Sequence, residues 1–229
     1  MCEFYVQLEG YNAIKEAVEN GEISAERLDE SVMRILREKQ EAGILDKPYS
    51  DPEEADRIVG CKEHKELLKR FSEKSITVLK DGGLPLNKGG RIFTVCVEPQ
   101  KIRAAMDDIQ CPDMLIKAMG TDGLLLPLNP EKTDIDRAVL AVNGYDIVVV
   151  GMCNGIIYNN QKDLVKALYD TGKKIVVVAT DSPYDIELVP YVDSFVCTYG
   201  VSAAAMEAAS KVIYGELNCN AVPPVTIKI

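Results

Sequence analysis

The chain has 229 residues, long enough to form one large hydrophobic core without disulfides or metal ions to hold it together. It carries 26 basic and 36 acidic residues, a net charge of −10, and no basic cluster that could follow a phosphate backbone. Its apolar runs are strand-length, short of the roughly 20 residues of a membrane-spanning helix, and the first 20 residues lack a secretion signal. The composition therefore predicts a globular cytoplasmic protein that binds neither nucleic acid nor membrane.

Two helices are predicted at the start of the chain. The first covers Leu8–Glu19 and ends before Gly21, because glycine just after the last periodic residue favours a left-handed cap. The second begins after Ser24, a good N-cap, and a turn-rich segment with two prolines follows it. We therefore interpret residues 1–49 as a helical appendage with a linker and residues 50–229 as the main domain.

The main domain alternates helices with strands. After a predicted helix over residues 62–80, nearly continuous apolar runs such as Tyr145–Gly151 and Lys174–Thr180 are typical of parallel strands buried on both faces. The alternation predicts an α/β protein, a three-layer α/β/α sandwich with a mostly parallel sheet. The predicted strands are 91–97, 123–126, 146–152, 174–180, 194–198 and an edge strand at 225–229, and the predicted helices are 99–108, 112–119, 134–143, 161–170 and 202–213.

Several kinds of site are not supported by the sequence. The seven cysteines form no C-x-x-C pair and predict buried thiols in a reducing compartment. The one histidine, His64, lies among charged residues and is expected on an exposed helix face, so no metal site is predicted. Neither a phosphate-binding glycine loop nor G-x-S-x-G occurs, so no nucleotide cofactor and no acyl-transfer chemistry are expected.

The candidate binding residues follow two neighbouring strands. Open parallel sheets bind ligands beyond the carboxyl ends of their strands, and the Asn and Tyr side chains there could hydrogen-bond sugar hydroxyls. The alternative is that both loops only cap helices and brace a neighbouring domain. The candidates are Asn154, Tyr158 and Asn159 after one strand, and Asp181, Ser182, Tyr184 and Asp185 after the next.

Paired carboxylates are what glycosidic cleavage usually needs. Asp181 with Asp185 is the best-placed pair, but helix capping would explain each of them separately. Asp51, in the dipeptide Ser50-Asp51, precedes Pro52 in the linker and is expected to be an N-cap. We therefore assign no catalytic residue in this chain.

The order of these segments resembles the C-terminal sandwich domain of family 3 glycoside hydrolases, in particular the bacterial β-N-acetylhexosaminidase branch. The stretch 13–36 is similar to the end of that family's (β/α)8 barrel and the helix leading out of it. The remaining matching segments are Glu73–Gly82, Tyr145–Gly151, Lys174–Thr180, Asp181–Pro190, Val192–Gly200, Ile213–Leu217 and Pro223–Ile227.

The resemblance implies a chain without its own catalytic machinery. In this family the barrel carries the aspartate nucleophile and, in the hexosaminidase branch, a Lys-His-Phe-Pro-Gly-His-Gly segment with the acid/base histidine, and neither matches here. Met1 would then correspond to a position inside a longer parent chain, and we expect a fragment that is inactive alone. Its expected partner is the missing barrel, and the exposed docking surface would also favour self-association.

Two other functions share this architecture. One is a stand-alone module that binds a carbohydrate or another small ligand at residues 153–160 and 181–185. The other is a flavodoxin-like or receiver-type signalling domain, for which we find neither a flavin phosphate loop nor an acidic pocket with a paired lysine. The sequence therefore favours the hydrolase domain and keeps the binding module as the alternative.

Overall fold

The computed structural model describes residues 4–98 and 113–228, with side-chain environments from residue 6 onward. The chain divides into two compact units, Met1–Cys61 and Lys62–Ile229. In the described residues, no helix is both long and apolar enough to cross a membrane. The boundary expected after residue 49 stays a prediction.

The first unit is helical. Its helices are α1 (Phe4–Glu19), α2 (Ala25–Glu41) and α3 (Pro52–Ile58). Ser24 is the N-cap of α2, and Asp51 is the N-cap of α3, its carboxylate accepting the Glu53 N–H at 3.0 Å. Both caps were predicted, and Pro52 occupies the first turn of α3, where its missing N–H has no consequence.

The second unit is an α/β sandwich, as the sequence predicted. Its helices are α4 (Lys62–Ser75), α5 (Met114–Met119), α6 (Lys132–Ala141), α7 (Asn160–Tyr169) and α8 (Ala203–Ile213), with a short 3-10 helix at Pro183–Leu188. Its strands are β1 (Thr77–Lys80), β2 (Ile92–Val97), β3 (Asp122–Leu126), β4 (Ile147–Met152), β5 (Lys174–Ala179) and β6 (Ser194–Cys197).

The six strands lie in the order β1-β6-β5-β4-β2-β3, and all pairs are parallel except β1 with β6. Side chains alternate between the two faces of the sheet. In β4, Val148 and Val150 belong to the core that contains Leu164 and Leu168 of α7, whereas Val149 belongs to the core on the opposite face. The sheet is thus buried on both faces, which explains its continuous apolar strands.

Two sequence predictions are wrong at the ends of this unit. The helix predicted over 62–80 ends at Ser75, and Thr77–Lys80 forms β1, where Thr77 pairs with Cys197 of β6. Residues 225–228 form no strand. The helix predicted at 99–108 lies outside the described residues, whereas His64 is exposed on α4, as expected.

Candidate functional site

The candidate residues come together at the carboxyl edge of the sheet. Strands β4 and β5 are parallel neighbours, with Met152 opposite Ala179 at their ends. Thr180 then holds the two strand ends together, since both its N–H and its hydroxyl donate to the Met152 carbonyl, at 2.8 and 2.9 Å. The loops that carry the predicted residues therefore start side by side.

The loop after β4 makes a tight turn that exposes apolar side chains. Asn154 has a left-handed backbone (φ 54°), a conformation that asparagine tolerates better than most residues. Its carbonyl accepts the N–H groups of Ile157 and Tyr158, each at 3.0 Å. Ile156 and Ile157 are 53% and 65% exposed. The loop thus presents two large apolar side chains to solvent from a hydrogen-bonded turn.

Hydrogen bonds from the Gln161 side chain fix the conformation of this loop. Its side chain is fully buried; the carboxamide oxygen accepts the Cys153 N–H at 2.9 Å, and the nitrogen donates to the carbonyls of Cys153 and Leu128, each at 2.8 Å. All three bonds go to backbone in the segments after β3 and β4. Because a buried amide with satisfied partners holds one geometry, the loop after β4 is preorganised.

The loop after β5 leads into the 3-10 helix. Ser182 is the N-cap, with its hydroxyl accepting the Tyr184 N–H at 3.3 Å, and Pro183 is the first helical residue. Asp185 lies in the first turn of the same helix. The expectation that helix capping accounts for Asp181 and Asp185 stays a prediction. Tyr184 points outward and is 37% exposed.

Asp185 has the most unusual environment among the candidates. Its side chain is fully buried, and neither carboxylate oxygen has a partner at hydrogen-bonding geometry. Burial raises its pKa, and the negative charge of Asp181 adds to this; the backbone N–H groups of Gly155 and Ile156 act in the opposite direction. Burial therefore makes ionisation of Asp185 harder than for an exposed carboxyl group, and the side chain cannot contact a substrate from this position.

Gly155 allows the close approach between the two loops. A Cβ at this position would lie 2.8 Å from Met152 Cε, 3.3 Å from Leu188 Cδ1 and 3.4 Å from Asp185 Oδ1. The first distance is too short for any side chain to be added without movement. The dipeptide Asn154-Gly155 thus forms the turn and also lets the loop pack against Asp185.

Three of the predicted residues, Asn159, Asp181 and Tyr158, keep accessible polar groups. Asn159 is exposed, Asp181 is half-buried, and neither side chain forms a hydrogen bond with another described residue. Tyr158 is also half-buried. These groups could bind hydroxyls, and in the described parts of the chain no cluster of three metal-binding side chains occurs.

Two buried cysteines of the sheet, Cys96 and Cys197, are poor sites for thiol chemistry because their pKa is raised. Burial raises the pKa of Cys96 to about 12, and burial followed by the charge of Asp185 raises the pKa of Cys197 to about 12. Since the thiolate is the reactive form, both act as small apolar side chains at neutral pH.

Tyr199 lies in a segment that matches the family but was not predicted as a site residue. It follows β6 in a left-handed conformation (φ 54°), and its hydroxyl donates to Thr77 Oγ1 at 3.1 Å. It lines a groove of about 450 Å³ between α4 and the segment that connects β6 to α8. A non-glycine residue with positive φ has no sequence signal of its own, although strain of this kind is common at functional sites.

The strand order of the sheet indicates a second candidate binding position at this edge, between β2 and β4. The strands next to β2 are β3 and β4, so the chain changes direction across the sheet between β2 and β4. Ligands of open α/β sheets bind at such a switch point. The loop after β4 forms one wall of it, and the segment after β2 lies outside the described residues beyond Glu98.

Solved structures with a similar fold include glycoside hydrolases. A family 3 β-N-acetylglucosaminidase from Paenibacillus sp. str. FPU-7 matches with a TM-score of 0.69 and 28% identity, over 91% of this chain and 41% of that chain. A β-glucosidase from Listeria innocua in complex with isofagomine matches with a TM-score of 0.63 and 20% identity, over 89% of this chain and 33% of its own, which supports the fold alone.

Curated relatives match over shorter stretches. A periplasmic β-glucosidase/β-xylosidase of Dickeya chrysanthemi is 35% identical over 79 residues, 34% of this chain and 12% of its own length. A probable β-glucosidase C of Aspergillus flavus is 36% identical over 89 residues, 38% of this chain and 14% of its own. The chain thus spans only a small part of these relatives.

The family model described as the glycosyl hydrolase family 3 C-terminal domain matches residues 3–229. This match covers nearly the whole chain and agrees with the sandwich fold, its mostly parallel sheet and the solved relatives. The chain belongs to the family of glycosyl hydrolase family 3 C-terminal domains.

Proposed function

We propose that this chain is the non-catalytic C-terminal domain of a β-N-acetylhexosaminidase-type glycoside hydrolase. Residues 50–229 would form the sandwich domain and residues 1–49 the helical tail and linker that follow a catalytic barrel. The likeness to the Paenibacillus β-N-acetylglucosaminidase supports the substrate class. The β-glucosidases among the relatives make a β-glucoside the competing substrate class.

The carboxyl edge carries the proposal. Ile156, Ile157 and Tyr184 are exposed there on loops that Gln161 and Ser182 hold in place. An exposed apolar patch with polar residues beside it is typical of a surface that meets another protein surface. We infer that this edge packs on the barrel and that Asn159 and Asp181 lie at the rim of the substrate cleft.

The buried state of Asp185 supports a non-catalytic role. A glycosidase uses one carboxyl group as acid and a second as nucleophile or base, and both must reach the sugar. Asp185 has no exposed surface, so it cannot serve as the second carboxyl group beside Asp181. The described cysteines are thiols, which fits the reducing cytoplasm that we keep as part of the proposal.

A chimera tests this function. The full chain would replace the matching part of the Paenibacillus enzyme, and the β-N-acetylglucosaminidase activity is expected to exceed that of the same enzyme truncated before the exchanged part. Ile157→Asp and Tyr184→Asp should lower this activity, because a charge in an apolar contact remains unpaired. Leu140→Asp on α6 is the matched control, since Leu140 is 74% exposed outside these loops.

The control decides the outcome. If all three variants retain equal activity, the carboxyl edge does not meet the barrel. If the chimera is no more active than the truncated enzyme, the proposed role of packing on the barrel is wrong.

The second candidate is a stand-alone carbohydrate-binding module. It is supported by Asn159 and Asp181, whose accessible side chains form no hydrogen bonds with other described residues. Titration calorimetry with N-acetylglucosamine would show saturable binding that weakens in Asp181→Ala and Tyr184→Ala. A flat titration with the unmodified chain removes this candidate.

A further inference from the structure

A second groove lies at the outer edge of the α/β unit and shares no residue with the loops after β4 and β5. Helix α4 forms one wall, and residues 217–221 of the C-terminal segment form the other. We call it the α4 groove. Its volume is about 460 Å³, within the roughly 300–1,000 Å³ that is usual for small-molecule sites.

Hydrogen bonds hold both walls of the α4 groove. The Cys219 thiol donates to the Ile76 carbonyl at 2.7 Å and fixes the C-terminal segment beside the start of β1. Lys211 of α8 donates to the Glu73 carboxylate of α4 at 2.8 Å, and these two side chains are only 32% and 25% exposed. A groove held in this way needs little ordering when a ligand binds.

The lining combines free polar groups with an apolar floor. Arg70 and Lys74 lie four residues apart on one face of α4, and neither forms an ion pair or hydrogen bond with another described residue. The carboxamides of Asn218 and Asn220 on the other wall have no described partner either. The floor includes Ile76, which is 1% exposed.

The charges in the α4 groove favour an anion. Glu73 is paired with Lys211, which also interacts with the charges of Glu207 and Glu216. Arg70 and Lys74 form no ion pair with a described residue, on a chain whose net charge is −10. A guanidinium group binds phosphate or carboxylate through two parallel hydrogen bonds, and carboxamides bind hydroxyl groups. We propose that the α4 groove binds a small oxyanion, a phosphate or carboxylate group carried on a hydroxylated body such as a sugar.

Titration calorimetry with the full chain tests this site directly. Glucose 6-phosphate and glucuronate should bind saturably and more weakly as NaCl is raised, whereas glucose should not bind. Arg70→Gln and Lys74→Gln should each weaken binding by about tenfold, the usual effect of removing a charged hydrogen bond. The matched control is Lys65→Gln, because Lys65 is exposed on the same helix and does not line the groove.

Two comparisons decide the outcome. If inorganic phosphate binds as tightly as glucose 6-phosphate, the occupant of this site is the free anion. If inorganic phosphate binds more weakly, and Asn218→Ala weakens the binding of glucose 6-phosphate, the occupant is the sugar phosphate. The proposal is overturned if no oxyanion probe binds saturably, if glucose binds as well as its phosphate, or if Lys65→Gln weakens binding as much as Arg70→Gln. Circular dichroism of each variant confirms folding, and a failure here leaves the proposed hydrolase function untouched.

Discussion

The two units differ in what stabilises their helices. In residues 6–61 no side chain is buried, and the apolar stripe of α2 stays 38–57% exposed at Leu28, Val32, Ile35 and Leu36. These helices depend on local features such as the Ser24 cap and the Glu30–Arg34 ion pair at 3.0 Å. In the second unit, both faces of the sheet carry fully buried clusters. Most of the folding stability is therefore expected in the α/β unit, and the apolar face of α2 is exposed.

The largest expected effect comes from a matched pair of phenylalanines. Phe195 is fully buried in β6, whereas Phe71 on α4 is 62% exposed. Phe195→Ala should lower the free energy of unfolding by about 3–5 kcal/mol because it leaves a cavity, and Phe71→Ala by less than about 1 kcal/mol. Urea denaturation followed by circular dichroism measures both. Similar losses in the two variants would mean that the core has been placed wrongly.

Two glutamine substitutions test whether Gln161 fixes the loop after β4. Gln161→Leu leaves backbone groups of Cys153 and Leu128 unpaired in the interior and should destabilise the unit by about 2–4 kcal/mol. Gln40→Leu, on the exposed surface of α2, should change the stability by less than about 0.5 kcal/mol. The same denaturation experiment applies, and an unaffected Gln161→Leu protein would show that the loop does not depend on this side chain.

The pH dependence tests the buried carboxyl group. Because burial raises the pKa of Asp185 in the folded state, the unfolded chain loses this proton first, near its ordinary pKa of about 3.9. The contribution of Asp185 to stability is therefore complete below that pH and is lost as the pH rises through the folded-state pKa. The Asp185→Asn variant does not lose stability in this way, because asparagine does not titrate. The free energy of unfolding of the variant, relative to that of the unmodified chain, should therefore increase from about pH 4 to about pH 7. A constant difference would show that the carboxyl group titrates normally.

The smallest effect is expected in the first unit. Ile35→Gln on α2 replaces a side chain that is 57% exposed, so the unfolding of the α/β unit should shift by less than about 0.5 kcal/mol. If the stripe drives the self-association predicted from the sequence, light scattering should show a smaller species for this variant. A large loss of stability would contradict the division of roles between the units.

The sequence predicted the features that depend on local pattern. The strands of the sheet have long β-branched runs such as Val148–Val150, and the caps at Ser24, Asp51 and Ser182 are polar residues placed before helical segments. The family could be assigned because the order of these segments is specific, although each one alone is weak. Local pattern therefore sufficed for the fold class.

The remaining features depend on tertiary contacts. Thr77–Lys80 was assigned to a helix because Val78 and Leu79 continue the spacing of α4, but pairing with β6 decides its conformation. The burial of Gln161 could have been noticed, since it shares a helical stripe with Leu164 and Leu168. The isolation of Asp185 under the loop has no such signal, because it depends on how two loops pack.

The most direct test of the central claim is hydrolysis by the purified chain alone. With p-nitrophenyl N-acetylglucosaminide, we predict no turnover above the buffer control, because Asp185, the sequence-predicted partner of Asp181, is buried and cannot reach a sugar. The Paenibacillus enzyme in the same assay provides the positive control. Clear turnover by this chain, retained through repurification and lost on Asp181→Asn, would contradict the account.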